Sequence, residues 1–296
     1  SVLKQKIEFI DVGNHVNLEV IDWGGTGDPI LFLSGLGLTA HIYSDFAPQF
    51  SNKFHVYGLT RRCFGASSQT RSGYDINTLV HDILSVINTL HLKKIVLIGH
   101  SFAGAEVTKF ASLYPDRVKK VIYLDAAYDW TKMLALYQNM PSTPPPTSKD
   151  FSSMQNDKLY LKKLTGVLYP DDEMKASFIF DKDGKYIGNV SPDSITFSMI
   201  KHLERPDYSL VKAPALAIYA IAKTVTALFP LYSTYDSIDK LKAERHFDVM
   251  KDFSHDGQTT FKKINNGFIK EINNAKHCLF ISNPTETANI IRDFIQ

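Results

Sequence analysis

The sequence predicts an α/β protein: a mostly parallel central sheet with helices on both faces. Three observations carry this. Ile95-Val96-Leu97-Ile98 is an apolar, mostly β-branched run of the kind a fully buried strand requires. It ends in Gly99-His100-Ser101-Phe102-Ala103, and apolar residues at helical spacing follow at once, from Ala105 to Leu113, until Pro115 forbids continuation. Further short apolar runs at 30–33, 54–59, 118–124 and 216–221 alternate with helix-like stretches, the rhythm of βαβ units.

Composition bounds the function class. With 44% hydrophobic residues in 296, the chain has material for a substantial core, in one large domain carrying an insertion or in two small domains. The formal charge is +2, with 33 basic and 31 acidic residues spread along the chain, so there is no nucleic-acid footprint and no polybasic membrane anchor. No apolar run reaches the length of a membrane span. Cys63 and Cys278 alone make neither a disulfide scaffold nor a metal-ligand spacing. The chain opens at Ser1 without Met, so the lack of a leader leaves the compartment open, cytoplasmic or exported.

Taken in order, Lys6 to Phe9 and Val16 to Trp23 alternate apolar and polar residues as paired antiparallel strands do, with Gly13-Asn14 as their turn. The glycine-rich loop Gly24 to Pro29 lacks the spacing of a phosphate cradle, and a strand rather than a helix follows it. Ile30 to Leu33 is the first buried strand; it runs into the turn Ser34-Gly35-Leu36-Gly37 and a helical segment around 41–50. After the strand at 54–59, Arg61 and Arg62 have the character of braces that pair with acids. Asn77 to Leu90 is an amphipathic helix with Leu79, Ile83, Val86, Ile87 and Leu90 on one face. Asp125 comes off the end of the strand at 118–124, and ligands of open α/β sheets bind at such ends. From about 128 to 210 the rhythm is lost: a proline-rich run at 141–146, helical pieces near Met133 and Leu159, and a hairpin turning at Asp183-Gly184. Residues 216–221 return to the sheet as a central strand. Helical material follows at 238–263, then the last strand at 268–272, a loop to His277, and a closing helix from Pro284 to Ile295.

Strand, sharp turn and helix with Ser101 at the apex form a nucleophile elbow, in which small residues two before and two after the serine let neighbouring backbones pass. Gly99 and Ala103 hold those places, with Gly104 next. The motif, read with its flanks, resembles the α/β-hydrolase family over nearly the whole chain; a Gly-Ser turn in an unrelated α/β protein is the plainer alternative. The resemblance implies Ser101 as nucleophile and His277, in a histidine loop after the last strand, as base. It also implies an oxyanion hole from the Leu36 and Phe102 N–H groups, with Ser34 standing where the family commonly has His. The family's commonest acid position, after residues 216–221, holds no carboxylate. Some relatives, including the haloalkane dehalogenases, carry the acid one strand earlier, where Asp125 lies; Asp129 is the alternative. Those dehalogenases use an Asp nucleophile, so only the acid's placement is shared.

The expectation is a core of 1–127 and 211–296 with a mixed, mainly helical lid at 128–210. The chemistry expected is a Ser-His-Asp serine hydrolase acting on small or medium carboxylic esters, with no cofactor and no metal. Lactones, thioesters and C–C bonds remain open as substrates, as does a slow-turnover ligand-binding receptor on the same fold. The oligomeric state is not legible in the sequence.

Overall fold

A computed structural model describes residues 5–296. Its centre is an eight-stranded sheet. The first hairpin, β1 (Lys6–Asp11) and β2 (Asn17–Gly24), is antiparallel and packs β2 against β4 (His55–Leu59), also antiparallel. From β4 onward all neighbours run parallel: β3 (Pro29–Leu33), β5 (Ile95–His100), β6 (Val118–Leu124), then β9 (Ala215–Ile221) and β10 (Gly267–Asn273). The strand order is β1-β2-β4-β3-β5-β6-β9-β10. The 216–221 run, expected at the centre, is therefore the last strand but one.

Side chains of one strand alternate between faces, and two cores result. Ile95 and Leu97 of β5 face one core, with α1 (Ile76–Thr89) and α2 (Ala103–Leu113). Val96 and Ile98 face the other, which the aromatic cluster Tyr43, Phe46 and Phe50 fills. The helix expected at 41–50 is two 3-10 turns, Ala40–Tyr43 and Ala47–Phe50; Pro48 enters the second at its start and lacks the N–H a continuous helix needs.

Residues 125–214 leave the sheet between β6 and β9, which are neighbours in it. This inserted segment begins with the short helix α3 (Met133–Leu136) and continues through α4 (Met154–Thr165) and α5 (Asp171–Ser177). The hairpin β7 (Phe178–Phe180) and β8 (Tyr186–Asn189) follows, then α6 (Asp193–Lys201). Local chemistry sets these bounds. Ser153 Oγ accepts the Asn156 N–H at 3.1 Å to start α4, and Gly166 ends it at φ +80°. Asp181 Oδ1 accepts the N–H groups of Asp183 and Lys185, both at 2.9 Å, to fold the hairpin turn over Gly184.

After β9 come α7 (Val225–Leu228) and α8 (Ser237–Phe261), and after β10 come α9 (Leu279–Ser282) and α10 (Pro284–Ile295). In α8, Phe253, Gly257 and Phe261 lie four residues apart and are buried, so one stripe of this otherwise polar helix docks on the sheet domain. Among the described residues no helix is long and apolar enough to cross a membrane.

A very close backbone approach joins α2 to the residues after β6. A Cβ added to Gly104 would stand 2.0 Å from Ala126 O. Gly104→Ala is therefore expected to cost about 3 kcal/mol, because the obstacle is backbone and cannot rotate away. Urea unfolding of the variant checks this; a loss under about 0.5 kcal/mol would show the two segments free to separate.

Candidate active site

Ser101 follows β5 at φ +55°, a left-handed conformation that costs a non-glycine residue energy and must be imposed by its surroundings. Its N–H donates to Leu124 O at 3.2 Å, and Gly104 N–H donates to Ser101 O at 2.8 Å, so the turn is tied to β6 on one side and to α2 on the other. A Cβ on Gly99 would meet Val107 Cγ1 at 2.8 Å, and one on Gly35 would meet Ser101 Cβ at 3.1 Å. These contacts explain the small residues around the elbow. They also explain why Ala is accepted at 103: the tightest approach falls one residue later, on Gly104.

The structure brings Ser101, His277 and Asp125 together. His277 Nε2 lies 2.8 Å from Ser101 Oγ, and His277 Nδ1 lies 2.6 Å from Asp125 Oδ2. With the carboxylate at Nδ1, the proton belongs on that nitrogen, which leaves Nε2 to accept from the serine hydroxyl. Asp125 is buried, at φ +46°, and its N–H donates to Ile218 O at 2.8 Å. The side chain of His277 is 46% exposed, so a molecule arriving from solvent can reach this end of the relay.

Two further groups hold Asp125, and neither has a motif that would reveal it in the sequence. Tyr128 OH donates to Asp125 Oδ1 at 2.6 Å, and Ala220 N–H donates to the same oxygen at 3.1 Å. Tyr128 is buried and stacks on Phe253 of α8, with ring centroids 4.6 Å apart and planes at 11°. Burial, reinforced by the Asp125 charge, drives its phenol well above the ordinary tyrosine range, so it remains a donor.

The other acids lie elsewhere. Asp129 accepts the Thr131 N–H at 3.1 Å at the head of its own 3-10 turn and stands 3.8 Å from Arg205. Asp236 caps α8 through the Asp239 N–H at 2.8 Å. His100 points away from Ser101: its Nε2–H donates to His277 O at 2.9 Å, and burial, then the nearby His277, holds it neutral with a pKa well below the usual histidine range. Burial pushes the Cys278 thiol up to about 12, which keeps it protonated and unreactive.

The turn after β3 passes beside the serine through Gly35. Arg61 braces it: Nη2 donates to Ser34 O at 2.8 Å, while Nε donates to Glu106 Oε1 at 3.0 Å from α2. Its neighbour Arg62 grips Asp82 of α1 at 2.7 and 2.8 Å. Both arginines are buried and paired with acids, as their expected bracing role requires. Among the described residues neither the Leu36 N–H nor the Phe102 N–H has a protein acceptor. Cys63 takes φ +69°, the strained conformation its place in the turn imposes, with the Thr70 N–H 3.3 Å from its sulfur.

A family model described as the alpha/beta hydrolase fold matches residues 28–161. The chain is 34% identical over 102 residues to a putative non-heme chloroperoxidase of Synechocystis, covering 34% of this chain and 37% of that protein. It is 28% identical over 116 residues to 2-(acetamidomethylene)succinate hydrolase of Mesorhizobium japonicum, covering 39% and 41%. The matched stretch thus spans about two fifths of these curated relatives. The crystal structure of E-2-(acetamidomethylene)succinate hydrolase superposes with a TM-score of 0.71 over 99% of both chains at 19% identity, which shows a common fold.

Removing the Tyr128 hydroxyl takes one of three donors from a buried carboxylate. Tyr128→Phe should lower stability by about 1.5–3 kcal/mol, the range for hydrogen bonds to charged groups. Chemical denaturation of the variant measures it, and an unchanged midpoint would mean the bond contributes nothing net.

Proposed function

Because this chain is a protein of the α/β-hydrolase fold, we propose that it is a serine hydrolase cleaving small or medium carboxylic esters through an acyl-enzyme. The observation that carries this reading is the unbroken relay from Ser101 Oγ through His277 to Asp125, at 2.8 and 2.6 Å. In the proposed reaction Ser101 Oγ attacks the ester carbonyl carbon while His277 Nε2 takes the hydroxyl proton. Asp125 holds the imidazole in the required tautomer and stabilises the imidazolium that forms. The tetrahedral oxyanion is received by the Leu36 and Phe102 N–H groups; removing one such donor from an enzyme typically costs 10²–10³-fold in turnover. Collapse expels the alcohol, which takes its proton from His277. Water, deprotonated by the same nitrogen, then attacks the acyl carbon and releases the acid and free Ser101.

We assign residues 1–127 and 211–296 to the catalytic core and 128–210 to a lid. Among lid aromatics, Tyr160 and Phe178 are occupied internally: Tyr160 OH donates to Pro144 O at 2.7 Å, and the Phe178 ring lies 6.1 Å from that of Tyr186. Tyr137 is placed differently. Its surface is 59% open, and desolvation and then the Asp125 charge raise its phenol, which puts the ring on the Asp125 side of the candidate site.

Three experiments follow from this reading. With p-nitrophenyl acetate, Ser101→Ala should abolish turnover at nearly unchanged thermal stability, and Asp125→Asn should reduce turnover by about 10⁴-fold, or roughly 5 kcal/mol of barrier. Mass spectrometry should find the wild-type acyl group on Ser101. Full activity in Ser101→Ala would sink the mechanism, and a single stable acylation without turnover would favour a receptor. In an ester chain-length panel, Tyr137→Ala should change the ratio of kcat/KM between long and short acyl chains by about 10-fold, the effect of one or two methylene contacts. A uniform change across the panel would show that Tyr137 does not touch the acyl chain.

A further inference from the structure

The inserted segment touches the turn beside Ser101 through one buried carboxyl group. Glu173 of α5 is wholly buried, and its partners are few and definite. Thr39 N–H donates to Oε1 at 3.0 Å and to Oε2 at 3.3 Å, and the Thr39 hydroxyl also donates to Oε2. Ser177, one helical turn along α5, donates its hydroxyl to Oε1 at 2.7 Å.

Thr39 closes the turn that starts at Ser34. Within it, Leu38 N–H donates to Gly35 O at 3.2 Å and Ser34 Oγ donates to Leu38 O at 3.1 Å. Arg61 anchors the first end of this turn, at Ser34 O, and Glu173 anchors the last, at Thr39. The Leu36 N–H lies between the two anchors, next to Gly35, which packs against Ser101. Gly37, at φ +82°, is the flexible joint of the same turn, so its geometry rests on what holds its ends.

Glu173 is not simply neutralised by a cation. The basic side chain whose charge acts on it, His41, is itself engaged by Glu19 of β2, with Nε2 3.0 Å from Oε2. Asp172 on the same helix, Tyr169 and Cys278 are the other titratable groups facing this cluster, and none supplies positive charge. Burial raises the Glu173 carboxyl to about 7, against the lowering effect of the Thr39 and Ser177 hydrogen bonds. A costly buried acid bonded to a backbone N–H is poorly explained as filler, because an apolar residue would fill the space without the desolvation penalty.

We propose that Glu173 is a positioning residue which, through Thr39, holds the Ser34–Thr39 turn so that its Leu36 N–H is set for the reacting carbonyl oxygen. The inference rests on Ser101 as the nucleophile. It makes the inserted segment part of the chemical step rather than a cover alone.

The full-length variants Glu173→Gln and Ser177→Ala separate positioning from general support. Gln keeps one acceptor oxygen and puts an N–H₂ donor in the place of the other, so the Thr39 N–H and hydroxyl can no longer each keep a carboxylate oxygen, whereas Ser177→Ala removes a bond to the same carboxylate without touching the turn. With p-nitrophenyl acetate, Glu173→Gln should lower kcat about 10-fold and leave KM within about threefold, the signature of an interaction used in the transition state. Amide hydrogen exchange over residues 35–39 should quicken about 10-fold in the same variant. Ser177→Ala should match wild type in both. A group whose folded pKa is raised to about 7 adds stability below the usual carboxylate range and loses it as pH rises through 7. Glu173→Gln should therefore soften the fall in unfolding midpoint between about pH 5 and 8, leaving the smaller share from His41, whose pKa is also raised by Glu19 once burial is overcome. If Glu173→Gln does not fold, Glu173→Asp, one methylene short, should show the same exchange change in part. Wild-type exchange and kcat in Glu173→Gln, or equal losses in Ser177→Ala, would overturn the proposal. Faster exchange at 35–39 in a chain whose wild type never turns over ester would keep the clamp and discard the ester reading.

Discussion

The mouth of the sheet depends on how closely three chain segments pass the turn at Ser101. The turn after β3 lies against the serine at Gly35, the start of α2 lies against the residues after β6 at Gly104, and β5 itself is pinched at Gly99. Each approach is close enough that a methyl group would collide with a neighbour, in the Gly104 case with backbone. Ser101 adopts φ +55° because hydrogen bonds to Leu124 O and from Gly104 N–H leave it no room to relax. The same tightness brings Asp125, at the end of the next strand, into line with His277.

Around this turn the protein buries charge in pairs. Arg61 with Glu106, Arg62 with Asp82, and His41 with Glu19 all lie within the interior at the same end of the sheet. Such pairs are weak sources of stability, since desolvation offsets most of the attraction. What they supply is direction: Arg61 ties the turn after β3 to α2, the helix that follows Ser101, and Arg62 ties the next loop to α1. Loops with few apolar side chains cannot be fixed by packing, so buried ions and their hydrogen bonds do it instead. Asp125 follows the same logic on a smaller scale, with His277, Tyr128 and the Ala220 N–H taking its two oxygens.

The inserted segment meets this frame along two lines. Tyr128, at its beginning, bonds Asp125 and stacks on Phe253 of the long helix α8, which also presses Gly257 against Ala127 and Tyr128. Glu173, near its middle, bonds Thr39 at the far end of the turn beside Ser101. The acid and the turn on opposite sides of the serine are thus both held by residues outside the central sheet. A fold shared with proteins under 20% identical can keep one sheet and still differ in how these outer contacts are made.

The sequence by itself determined the parts whose signals are local. Apolar runs at 30–33, 95–98 and 118–124 became parallel strands because a strand buried on both faces admits little else. Gly99, Ser101 and Pro115 bounded the elbow and its helix, and the placing of His277 before the closing helix was equally legible. Other features were set by distance in space. Pro48 divided an expected helix into two turns, and the 216–221 run went next to the edge because sheet order depends on crossovers that no short window records. Asp125 was the first expectation and Asp129 its alternative, and which of them stands beside His277 is a matter of tertiary structure: four residues apart, one is carried by the end of β6 toward His277 and the other caps a turn. Tyr128, Ala220 and Glu173 were equally invisible, because their partners stand on other segments or at the far end of a strand, up to 134 residues away in the case of Glu173 and Thr39; for Arg61 the bracing character was legible, but not its partners Ser34 and Glu106. A hydrogen bond between distant residues leaves no periodicity in either, so the turn at Ser101 and its flanks can be read along the chain while the frame that holds that turn exists only in three dimensions.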